Sequence, residues 1–69
     1  MLSNKHENPM SIRSKNALSS SLLKLMMYKH FTDISISDIT ERAGLSRQTF
    51  YTNFEKKEDI FLAHKYRML

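Results

Sequence analysis

The sequence predicts an all-α fold: a small helical bundle of three to four helices containing a helix-turn-helix, homeodomain-like in class. Three observations carry this reading. Leu18, Leu22, Leu25 and Met26 recur at i, i+4, i+7 and i+8, the spacing of one helix face. Two serine-led helix starts, Ser35 and Ser46, lie eleven residues apart with the chain's single glycine, Gly44, between them. No segment reads as a strand, a repeat or a low-complexity tract.

Residues 1–9 open the chain as a flexible arm: MLSNKHEN has no apolar period, and Pro9 suits a helix start because its missing N–H costs nothing there. Helix one is expected over 10–29, with Ile12 joining the apolar face and Lys15, Asn16, Ser19 and Lys24 mostly elsewhere. A break follows at 30–35. Ser35 then reads as an N-cap whose hydroxyl accepts from the Asp38 N–H while the Asp38 carboxylate reaches back. Ile34 and Ile39 form the matching hydrophobic staple, and helix two covers 36–43. The same grammar returns at Ser46, with Leu45 and Phe50 as the staple, to start helix three over 47–53. Helix four covers 57–69, with Glu58 and Asp59 at the positive end of its dipole and Ile60, Phe61, Ala63, His64 and Leu69 as its candidate buried face.

Two short helices joined across Ala43-Gly44-Leu45-Ser46 make a sharp turn, and the residue just past helix two calls for positive φ, which glycine adopts without strain. At roughly 100° per residue, Phe50 and Phe54 face one way on helix three and Gln48 and Thr52 nearly the opposite way, with Thr49 and Tyr51 on the flanks. Arg47, at the first helical position, is long enough to reach out from the helix end. Arginine pairs with guanine, glutamine with adenine, threonine with a thymine methyl, and serine and tyrosine hydroxyls with phosphate. No acid occurs between Arg42 and Phe54, while Asp33, Asp38, Glu41, Glu55, Glu58 and Asp59 flank that window. A phosphate-facing surface requires such a gap.

Residues 34–63, ISISDITERAGLSRQTFYTNFEKKEDIFLA, resemble the DNA-binding segment of the tetracycline-repressor (TetR) family of bacterial transcriptional regulators. The matching features are DI at 38–39, AGLS at 43–46, FYxxF at 50–54 and KEDI at 57–60, and with helix one and Phe31 the likeness covers about 10–69. The resemblance implies a recognition helix at 47–53, with Arg47, Gln48 and Thr49 in the major groove. It places Ser35 and Ser37 against phosphate, Tyr51 and Lys57 as backbone clamps, and Asn53 near the backbone. Ser46 and Thr52 complete the candidate DNA-binding set. The implied partner is double-stranded DNA carrying a palindromic operator, bound by a homodimer of the full-length protein in the bacterial cytoplasm. The implied role is a repressor released by a ligand bound in a C-terminal domain that 1–69 does not contain. Three departures stand out. His30 replaces a common helix-ending glycine, so helix one ends tighter or frayed. Lys56 replaces a usual capping Ser or Asn. The chain stops at Leu69, where family members continue into a larger helical domain.

Bulk composition fits this reading. Sixty-nine residues make at most one small domain, and 41% apolar content suffices for a helical core. Eleven Lys and Arg against seven Asp and Glu, with a pI near 9.6, suit a polyanionic partner. Lys15, Lys24, Arg47, Lys56 and Lys57 supply non-specific attraction. Absent cysteine rules out disulfide or cysteine-zinc staples. The apolar cluster LLKLMMY is too short for a membrane span, the polar start does not read as a signal peptide, and the polar face of helix one is rich in serine rather than in the Lys and Arg of a membrane-surface helix. His6, His30 and His64 are scattered, without HExxH, a phosphate loop or a nucleophile elbow, so no catalytic residue, metal site or cofactor is expected. The alternative is a helical protein-interaction module without DNA binding, using Phe61, Tyr66, Met68 and Leu69.

Overall fold

Helix α1 (Pro9–Leu25) is the element on which the others assemble: α2 (Ile36–Ala43), α3 (Arg47–Asn53) and α4 (Glu58–Arg67) each pack against it, and α2 also packs against α3. The structure, a computed structural model, describes residues 9–67 and, within them, the side chains of residues 11–62. The arm at 1–8 and the side chains of Ala63, His64, Tyr66, Met68 and Leu69 lie outside what it describes. All regular elements among the described residues are helical.

The core follows from the helical spacing. Leu18 and Leu22 of α1 are fully buried, and around them close Ile34, Ile39 of α2, Phe50 of α3, Phe54 and Ile60 of α4. Each such side chain contributes on the order of 1.5–3 kcal/mol from leaving water. Leu25, Phe31, Ile36, Ala43 and Leu45 pack against this cluster from its rim. Two apolar expectations fail at the edges: Met26 is 39% exposed and Phe61 38%. The Phe61 ring instead meets Phe31 at 5.2 Å between centroids.

Helix one, expected to reach residue 29, ends at Leu25. Beyond it the Met27 and Tyr28 amides donate three residues back, to Lys24 and Leu25, so the chain tightens before it leaves. Met27 and Tyr28 are more than three-quarters exposed, so further helix would bury nothing. With no glycine to turn left-handed, His30 exits in extended conformation (φ −70°, ψ 148°). A single 3-10 turn at Phe31–Asp33 then delivers the chain to α2.

Ser35 caps α2 through a complete capping box: its hydroxyl accepts from the Asp38 N–H at 3.0 Å, and the Asp38 carboxylate accepts from the Ser35 N–H at 3.0 Å. Lys29 Nζ adds a second bond to the same carboxylate oxygen at 3.1 Å. The Ser35 N–H and then Lys29 hold the Asp38 carboxyl below its ordinary range. A depressed carboxyl stabilises the fold above its unfolded-state value and loses that contribution as pH falls through its lower native value. Asp38→Asn is therefore expected to lose less stability than the parent on acidification below about pH 4, read by urea titration at stepped pH. At α4 the cap comes from the opposite direction: Asp59 Oδ2 accepts from the Glu55 and Lys56 N–H groups at 3.1 and 3.2 Å.

Candidate nucleic-acid interface

The bend between α2 and α3 is a Schellman turn. The Leu45 N–H reaches the Thr40 carbonyl at 2.9 Å and the Gly44 N–H the Glu41 carbonyl at 3.2 Å. Gly44 sits at φ 72°, ψ 30°, the only positive φ among the described residues. A Cβ there would meet nothing within 4 Å, so the demand for glycine is conformational rather than spatial. Gly44→Val is accordingly expected to cost more than about 1 kcal/mol, seen as a lower melting temperature. An unchanged melt would contradict the left-handed backbone.

Directly after the bend, Ser46 caps α3 by accepting from the Thr49 N–H at 3.0 Å. Its hydroxyl also shares a 3.0 Å hydrogen bond with Thr49 Oγ1. The two phenylalanines turn inward: Phe50 is fully buried and Phe54 is 6% exposed, their rings 5.6 Å apart. That anchoring leaves Arg47, Gln48, Tyr51 and Thr52 exposed on the outer side, with Thr49 half-buried on the flank. The Tyr51 ring stands edge-on to Phe50 at 5.4 Å, so its aromatic body is seated while half the side chain stays open to solvent. Thr52 donates its hydroxyl to the Gln48 carbonyl at 2.9 Å, which leaves its methyl as the group best suited to an apolar contact. Ser35 is exposed at the cap of α2, and Ser37 is half-buried in its first turn, where its carbonyl accepts from the buried Thr40 hydroxyl.

Two side chains expected at the DNA backbone also make contacts inside the fold. Asn53 donates to the Thr49 carbonyl and accepts from Ser11 Oγ of α1, each at 2.9 Å, so it ties the end of α3 to the start of α1. Lys57 Nζ donates to the Phe31 and Ile34 carbonyls at 2.7 and 2.6 Å and lies 4.5 Å from the centre of the Phe31 ring. The contacts with Ser11, Phe31 and Ile34 were not visible in the sequence, because these partners lie 23 to 42 residues away. An open groove beside the end of α3 is lined by Tyr51 and Thr52, by Glu55 and Asp59, and by Lys15 of α1. Its two carboxylates face a single ammonium, so the acid-free surface ends at this groove.

Among the described residues, no helix is long and apolar enough to cross a membrane. Known proteins show the same pattern. A family model described as bacterial regulatory proteins, tetR family, matches residues 23–64. An HTH-type transcriptional regulator EthR of Mycolicibacterium smegmatis is 42% identical over 40 residues, covering 58% of this chain and 18% of that protein. The match therefore spans under a fifth of that relative. No solved structure matches.

Proposed function

This chain belongs to the tetR family of bacterial regulatory proteins, whose amino-terminal DNA-binding domain it carries, and from that premise we propose that it reads a specific duplex sequence through α3. Arg47, Gln48 and Thr49 lie at base edges in the major groove, while Ser35, Ser37 and Tyr51 hold phosphates on either side. Ser46 fixes the start of α3, and the Thr52 methyl packs against the groove. The regulator acts in the cytoplasm as a homodimer on a palindromic operator, as a repressor released by a ligand of the longer protein. The observation that carries the reading is the burial of Phe50 and Phe54, which leaves Arg47, Gln48 and Tyr51 open on the far side of the same helix.

The deciding experiment is selection of bound duplexes from a random pool, using the full-length protein. A palindromic consensus is expected, with half-site centres about one helical turn, or a multiple of it, apart. Absence of any enrichment at low salt would sink the reading. A salt-independent protein partner in its place would favour the interaction module, for which exposed Phe61 and Leu62 offer apolar surface.

A further inference from the structure

We propose that Ser11, in the first turn of α1, is a positioning residue for the recognition helix: through Asn53 it fixes the tilt of α3 and so the bases that α3 reaches. The tie itself stands on geometry, and its effect on base preference rests on the DNA-binding reading above.

α3 has only seven residues, and its two ends are held differently. The Gly44 bend and the Ser46 cap set its start. Phe50 and Phe54 hold its inner face against the core. Two rings on one face press a short rod inward but resist a sideways swing of its far end weakly, because apolar burial is non-directional. Hydrogen bonds have direction, and one lies at that end: Ser11 Oγ donates to Asn53 Oδ1 at 2.9 Å. The orientation of the Asn53 amide follows from its second partner. The Thr49 carbonyl only accepts, so the Asn53 amide nitrogen faces it at 2.9 Å and Oδ1 is turned toward α1. Thr49 in turn gives its N–H to Ser46 Oγ and shares a hydroxyl bond with it, each at 3.0 Å. A continuous chain of hydrogen bonds thus runs from the first turn of α1 to the cap of α3, through Ser11, Asn53, Thr49 and Ser46.

Thr49 belongs both to this chain and to the set proposed at base edges. Hydrogen bonds to bases weaken steeply with misalignment, whereas cations attract phosphates over a Debye length of roughly 10 Å. A small swing of α3 therefore costs recognition of one sequence and spares attraction to any duplex. Ser11 and Asn53 are both half-buried, so water competes for their bond less than at an open surface.

The full-length parent, Ser11→Ala and Ser11→Thr would be titrated, well below their melting temperatures, with the consensus duplex selected above and with a mixed-sequence duplex. Ser11→Ala is expected to bind the consensus about three- to tenfold more weakly, the size of one side-chain hydrogen bond. It should bind the mixed duplex as the parent does and keep the parent's slope of log affinity against log salt. Ser11→Thr retains a hydroxyl and should restore the parent's preference. In an Asn53→Ala background, Ser11→Ala should add no further loss. Equal weakening on both duplexes, a shallower salt slope or an unchanged preference overturns the proposal. So does a Ser11→Thr protein as poor as Ser11→Ala, or a loss that persists in full without Asn53. Should Asn53→Ala fail to fold, the Asn53 side-chain amide decides by NMR of asparagine-labelled protein without DNA. Its signal is expected to shift in Ser11→Ala and to return in Ser11→Thr; a signal that Ser11→Ala leaves unmoved overturns the tie. A parent that selects no duplex would instead sink the DNA reading, with the amide signal still reporting on Ser11.

Discussion

Phe50→Ala is expected to abolish cooperative folding at ordinary temperature. The ring is fully buried between Tyr51 and Phe54 and belongs to the core cluster. Truncating a buried phenylalanine costs about 3–5 kcal/mol, and a domain of this length has only about 3–10 kcal/mol in total. One residue along, Tyr51→Ala removes a ring that is half exposed, and should leave the domain folded. The pair separates two ways of losing DNA binding: Phe50→Ala through loss of the scaffold, Tyr51→Ala through loss of a phosphate contact on an intact one. Thermal melts beside a binding titration provide the check. A Phe50→Ala protein melting within a few degrees of the parent would show that α3 is not anchored through this ring.

Gln48→Ala is expected to relax base preference at one operator position by about 1–3 kcal/mol and to leave discrimination elsewhere unchanged. Gln48 is exposed one residue into α3, and its carbonyl is occupied by Thr52, so truncation alters the outer surface without touching the core. A glutamine amide offers a donor and an acceptor that match adenine in the major groove, and alanine offers neither. Binding to a panel of single-position operator variants measures the effect. Uniform weakening across the panel would place Gln48 on the backbone rather than on a base.

The all-helical class, the two serine caps, the capping box at Asp38 and the left-handed glycine were legible in the sequence because each is settled within about five residues. Ser35 bonds to Asp38, Ser46 to Thr49, and the bend closes between Thr40 and Leu45. The inward turn of Phe50 and Phe54 was legible for the related reason that helical geometry converts sequence spacing into direction. Less could be read where the chain had to choose between continuing a periodic pattern and leaving it. The apolar pattern of α1 runs through Met26, yet the helix stops at Leu25 because Met27 and Tyr28 find nothing to bury against.

By itself, then, the sequence determined the class of the fold, the position of the bend and the side of α3 that turns outward, all consequences of short-range hydrogen bonds and helical periodicity. Tertiary structure alone decided what the polar side chains outside those patterns do. Asn53 ties α3 to Ser11, Asp59 caps the chain ahead of α4, and Lys57 holds the carbonyls before α2. The physical reason is that a long polar side chain has several satisfactory partners, and packing of distant segments selects among them. A buried ring on a short helix has one place to go.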